Sequence, residues 1–129
     1  MSDADKRAEY IARMFHKNQF RRDGKTPYAE HLRAVAEAVP DNLKATAWLH
    51  DILEDTDMTV EDLSLLFPKQ IVKAVAVLTH QKLENYGEYI AQIALNPCAA
   101  AVKIADIRHN LSDKPTMKAR AKYESALAV

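Results

Sequence analysis

The sequence predicts an all-α protein, a compact single-domain helical bundle of 129 residues. Three observations carry that expectation. Glycine occurs only twice and proline five times, so few residues break or kink a helix. Alanine, leucine, lysine and glutamate are abundant, and apolar side chains recur at three- and four-residue spacing. No stretch alternates apolar and polar residues as a half-buried strand does. Neither an internal repeat nor a Pro/Gly/Ser-rich linker divides residues 1–129, which therefore read as one domain. That length is enough to bury a core of its own.

Each element has a local cause. Ser2 or Asp3 can cap a first helix reaching about residue 18, with Ala8, Ile11, Ala12, Met14 and Phe15 as its apolar stripe. His16, near its end, suits the electrostatics of a helix C-terminus. QFRRDGKT reads as a basic loop, after which Pro27 favours the start of a helix over residues 28–39. Pro40 stops that helix, and Asp41 or Asn42 caps the next, which carries ATAWLHDILEDT. Thr59 with Asp62 resembles a capping box opening a short helix that ends at Phe67-Pro68. A more apolar helix follows over 69–79, then a polar loop over 80–87 and a helix over 89–95. Asn96-Pro97 opens a helix through CAAAVKIADIRHNL, and Pro115 precedes a last one over 116–128.

Several function classes are disfavoured. The formal net charge is zero, so no global field recruits nucleic acid or an anionic membrane. No apolar run reaches the length of a membrane span, and MSDADKRAEY is charged rather than signal-like. The single Cys98 cannot form an internal disulfide, which fits a reducing cytoplasm. A homo-oligomer is left open.

Three sets of charges stand where apolar neighbours make them expensive. In ATAWLHDILEDT, His50 and Asp51 precede Glu54 and Asp55 by one turn; on a continuous helix His50 and Glu54 share a face. Asp106 lies in the small-residue run AAAVKIADI, with Lys103 and Asn110 on the same broad face. His31 belongs to a helix with a strong apolar stripe, Leu32, Val35, Ala36 and Val39. Unpaired buried charges cost several kcal/mol, so these groups must be solvated, paired or bound to a cation. Taken singly, His31 reads as a satisfied core histidine and Asp106 as a partner of Lys103. Together, two imidazoles and two carboxylates from three helices can converge on one cation inside a bundle. Nitrogen and oxygen donors without thiolate suit Mn, Fe, Zn or Co. A metal held so acidifies bound water and polarises a phosphoryl group.

The order His31, His50-Asp51, Asp106 resembles the signature of HD-domain phosphohydrolases. More closely, RRDGKTPYAEHLRAV, AWLHDILEDT and VKIADIRHNL resemble the hydrolase domain of RelA/SpoT-type enzymes and the small alarmone hydrolases. The resemblance implies His31, His50, Asp51 and Asp106 as metal ligands, with Mn2+ the usual metal and Fe, Co or Zn as others. It implies Glu54 and Asp55 as the catalytic acidic pair. Arg21, with Arg22 a close competitor, matches an arginine near the nucleotide, and Asn110 a residue lining the substrate site. Bottom-up chemistry agrees: Glu54 stands where a carboxylate could move a proton of the attacking water, and Arg21, Arg22 and Lys25 supply cationic density before His31.

The chain departs from that family before Pro97, where HQKLENYGEYIAQIALN has Lys82 as its only Lys or Arg. The expected function is metal-dependent hydrolysis of a nucleotide, favouring removal of the 3′-pyrophosphate of guanosine tetra- or pentaphosphate. The rivals are an HD-type phosphatase for another nucleotide or small phosphorylated metabolite, and a non-catalytic ligand-sensing HD domain. No segment resembles the synthetase half of the bifunctional enzymes.

Overall fold

A computed structural model describes residues 2–81, 83–112 and 117–128, without the side chains of residues 117 and 118. Lys82, Pro115 and Thr116 lie outside the described residues. Helix α1 spans Asp3–Phe15 and starts with a full capping box: Ser2 Oγ accepts from the Asp5 N–H while Asp5 accepts from the Ser2 N–H. It ends three residues before the expected point, at the cap residue His16. Helix α2 spans Tyr28–Glu37, with His31, Leu32, Val35 and Ala36 on its buried side.

The expected continuous helix carrying the His-Asp pair is broken. A 3₁₀ turn, Asp41–Leu43, leads without a side-chain cap into α3, Lys44–Leu49, and α4 is the separate turn Ile52–Asp55. His50 and Asp51 stand at the junction. The His50 N–H points three residues back to Ala47, and Asp51 leaves helical geometry at φ −105° and ψ 1°. His50 and Glu54 therefore are not stacked on one regular helix face.

Helix α5, Val60–Ser64, has the expected Thr59–Asp62 capping box. Helix α6 is Lys69–Leu78. Helix α7, Tyr86–Ala94, begins a turn earlier than expected because Asn85 Oδ1 accepts from the Gly87 and Glu88 N–H groups. Helix α8 is Pro97–Ser112, with Asn96 Oδ1 accepting from the Ala99 N–H, and α9 is Met117–Leu127.

Two helices organise the packing. In α3 all of Ala45, Thr46, Ala47, Trp48 and Leu49 are buried, which places this short helix inside the core against α1, α2, α6 and α8. Helix α8 touches α2, α3, α6, α7 and α9, and its alanines permit that close approach. Leu32, Leu49, Ile52, Leu63, Val75 and Val102 are fully buried, and each such aliphatic side chain contributes roughly 1.5–3 kcal/mol. Among the described residues there is no strand, only an isolated bridge between Phe20 and Pro27, and no helix long and apolar enough to cross a membrane.

Candidate metal centre and nucleotide site

Helices α2 and α8 and the α3–α4 junction meet at His31, His50 and Asp106. All three are buried, and one ligand atom from each lies within 4.8 Å of the others. His31 Nε2 is 2.8 Å from Asp106 Oδ1, and His50 Nε2 is 3.1 Å from Asp51 Oδ2 and 3.4 Å from Asp106 Oδ1. Asp51, the fourth expected ligand, thus adjoins the cluster through His50. Its Oδ2 also accepts a hydrogen bond from the Tyr28 hydroxyl.

The donor set suits a divalent cation, and His50 shows it most directly. His50 Nδ1 lies 2.6 Å from the Ala47 carbonyl, and only a protonated nitrogen can donate there. In the neutral ring Nε2 is then the nitrogen carrying the lone pair. That atom is buried and makes no well-aligned hydrogen bond, despite its nearness to two carboxylates. A histidine ligand anchored by its other nitrogen has this arrangement. His31 is anchored likewise, its Nδ1 2.7 Å from Nδ1 of His109.

The cluster is strongly polarised. Burial opposes charge on His50, but the Asp51 and Asp106 carboxylates overcome it and hold the imidazole well above its usual range. Burial would raise Asp106, yet Lys103, 3.1 Å away, and His50 keep it well below the carboxylate range. Burial is likewise outweighed at Asp51, where His50 holds the carboxyl below the usual carboxylate range. The pocket therefore favours positive charge at its centre, which a proton or a metal ion can provide.

One cavity reaches this cluster and a second adjoins the first. The first, of about 180 Å³, has Asp51, Asp106, Glu54 and Asp55 on its walls. Glu54 Oε1 accepts from the His80 N–H at 2.7 Å, which fixes the acidic turn against the α6–α7 loop. Burial, with Asp51 and Glu54 nearby, pushes the Asp55 carboxyl up to about 6. The second cavity, of about 260 Å³, is lined by Phe20, Arg21 and Arg22, and shares Tyr28, Asn110 and Tyr123 with the first. Arg21 Nη1 donates to Asn110 Oδ1 at 3.2 Å, so these two expected residues meet; Arg22 lines the same cavity, whereas Lys25 lines neither.

The basic loop is a closed turn. Asp23 accepts from the Lys25 and Thr26 N–H groups and from the Thr26 hydroxyl, and these bonds, Thr26's first, hold its carboxyl at about 2. Gly24 adopts φ 70°, a conformation that favours glycine. Gln19 locks the loop to the acidic turn by donating to the Asp55 carbonyl, and its Oε1 lies 2.8 Å from His16 Nδ1. His16 is buried, and burial lowers its pKa, so a charged interaction with the α1 terminus is not its role.

Sequence patterns missed Tyr28, His80, Tyr86, Tyr89, Lys122 and Tyr123, all on the first cavity's walls. An aromatic residue at a helix start reads as core, and nothing local places α9 over the site. Only Tyr28 carried a signal, lying inside the RRDGKTPYAEH block.

Helical architecture and central cluster together define an HD-type domain. No family model matches the chain. It is 34% identical over 111 residues to the guanosine-3′,5′-bis(diphosphate) 3′-pyrophosphohydrolase MESH1 of Mus musculus, covering 76% of this chain and 62% of the mouse protein. The Homo sapiens protein of that name is 34% identical over 119 residues, covering 82% of this chain and 66% of its own length. The bifunctional (p)ppGpp synthase/hydrolase SpoT of Escherichia coli K12 is 30% identical over 122 residues, 82% of this chain and 17% of SpoT. A solved structure, described with the finding that a metazoan ortholog of SpoT hydrolyzes ppGpp, superposes with TM-score 0.81 at 27% identity, covering 98% of this chain and 82% of that one. The chain is related to the RelA/SpoT-type HD hydrolases by sequence and by fold. It spans less than two thirds of the length of the mouse relative.

Proposed function

We propose that the chain is a metal-dependent phosphohydrolase that removes the 3′-pyrophosphate of guanosine tetra- or pentaphosphate. The observation that carries this reading is the meeting of His31, His50 and Asp106, with Asp51 beside His50, behind a cavity whose walls hold Asp51, Asp106, Glu54 and Asp55. Relatives at 30–34% identity bear that activity in their names.

His31, His50, Asp51 and Asp106 would hold one divalent metal, Mn2+ by resemblance, which when bound polarises the phosphoryl group and acidifies water. The chain's own residues supply the rest. Arg21 and Asn110 bind and orient the nucleotide from the adjoining cavity. Glu54, one oxygen fixed by the His80 N–H, keeps the other to accept the proton of the attacking water. The new bond joins water oxygen to the phosphorus nearest the ribose, and the bond from that phosphorus to the 3′-oxygen breaks. Asp55, held near the middle of the acid–base range, returns a proton to the leaving 3′-oxygen, giving GDP and pyrophosphate from the tetraphosphate. Cys98, free and exposed, suits a reducing cytoplasm.

A second reading, an HD-type phosphatase for a less charged nucleotide, is favoured by one observation. Lys103, a cation on the wall near the cluster, is tied to Asp106. The test incubates Mn2+-loaded protein with guanosine tetraphosphate and, separately, with nucleoside monophosphates. GDP and pyrophosphate from the first are expected. Phosphate from the monophosphates with the tetraphosphate untouched supports the phosphatase, and no turnover of either supports a sensing domain.

A further inference from the structure

Tyr86, the first residue of α7, lines the cavity that holds the acidic pair. Its ring packs with Tyr89 at a centroid distance of 5.7 Å and with His80 at 6.0 Å. Its hydroxyl is buried and has no hydrogen-bond partner among the described residues. A buried hydroxyl left unsatisfied is costly, and a ligand oxygen in the cavity would satisfy it. Burial raises the hydroxyl's pKa, so it keeps its proton and can donate.

Beside it stands Lys122 of α9. Its Nζ lies 4.6 Å from the Tyr86 ring centroid and 5.4 Å from that of Tyr123. No carboxylate among the described residues pairs with Lys122, whereas Lys103 on the same cavity is bound to Asp106 at 3.1 Å. A protonated hydroxyl and an unpaired ammonium are both donors, the combination that phosphoryl oxygens accept. The position also answers a departure in the sequence, since residues 80–96 contribute Lys82 as their only Lys or Arg.

We propose that the Tyr86 hydroxyl and the Lys122 ammonium form the subsite for the pyrophosphate group that the reaction releases, in the cavity of the acidic pair rather than the one lined by Arg21. This assignment rests on the pyrophosphohydrolase reading and divides the site in two. Phe20, Arg21 and Arg22 face the nucleoside part, and Tyr86 with Lys122 faces the two phosphoryl groups beside the cluster.

The probe is inorganic pyrophosphate, titrated by calorimetry into Mn2+-loaded protein freed of excess metal, with inorganic phosphate as comparison. Wild type should bind pyrophosphate more tightly than phosphate. Tyr86→Phe, which removes only the hydroxyl, and Lys122→Met, at an exposed position, should each weaken pyrophosphate about tenfold and narrow that gap. Lys122→Arg should keep most of the affinity. Unchanged pyrophosphate affinity in both Tyr86→Phe and Lys122→Met overturns the subsite, as does a wild type that does not bind pyrophosphate. Cleavage of guanosine tetraphosphate with both variants at wild-type pyrophosphate affinity keeps the reaction and removes the subsite. Pyrophosphate binding that depends on Tyr86 and Lys122, with the tetraphosphate left intact, removes the reaction and keeps the subsite.

Discussion

Arg21 and Asn110 are 89 positions apart, and the Arg21 guanidinium donates to the Asn110 side-chain oxygen at 3.2 Å. Asn110 in turn donates through Nδ2 to Asp106 Oδ1, also at 3.2 Å. Two hydrogen bonds thus run from an arginine in the outer cavity to a carboxylate of the central cluster. Arg21→Ala removes the outer member and leaves the cluster in place. Its KM for the nucleotide should rise about tenfold or more, with kcat changed less than about threefold, because binding rather than chemistry is lost. Steady-state kinetics check this, and an equal fall in kcat and kcat/KM would place Arg21 at the reacting centre.

Tyr28 holds Asp51 through its hydroxyl. Tyr28→Phe keeps the ring that packs between His16 and His31 but removes the donor. Partners of this kind typically tune metal affinity by about 10–100-fold, so a weakening in that range is expected in a competition titration against a metal chelator. Unaltered affinity would mean that Asp51 is positioned without Tyr28.

The central histidines and Asp106 were legible in the sequence because each is an ionisable group inside an apolar run. The break at His50-Asp51 was not, since neither glycine nor proline marks it. It is held by long-range and side-chain contacts, His50 to the Ala47 carbonyl and Tyr28 to Asp51. The early start of α7 had a local sign in Asn85, whose side chain caps it, but the polar neighbours read as loop. Lys122 and Tyr123 had none, because their place in the site depends on how α9 packs against α8.

Glu54 touches the cavity without belonging to the cluster, and its Oε1 accepts from the His80 N–H. Glu54→Gln keeps that acceptor and removes the proton acceptor. Metal content close to wild type with turnover down roughly 10²-fold or more is expected, the scale for losing a general base. Loss of metal in this variant, read by elemental analysis, would instead make Glu54 part of the metal site.

Asp55 gives the metal-free fold a pH dependence of definite sign. Its folded value of about 6 stands above its ordinary value of 3.8. Between those values the folded state binds more protons than the unfolded one, so stability falls as pH rises through them. The burden is complete above about pH 6 and absent below the ordinary value. Solvent exposure of the side chain keeps it small, under about 1 kcal/mol. Asp55→Asn removes the titration, so its Tm relative to wild type should increase between pH 4 and pH 7.5 in the metal-free protein. A difference that stays flat over that range would show that Asp55 titrates at its ordinary value in the folded state, and one that shrinks would show that its carboxylate is stabilised there.

The cluster of His31, His50, Asp51 and Asp106 is tested most directly by metal content. Protein purified without chelator should carry about one transition-metal ion per chain, and Asp51→Ala and Asp106→Ala should each lose it, with a lower Tm because opposing charge is left buried and uncompensated. Elemental analysis that finds full metal retention in both variants would contradict the assignment.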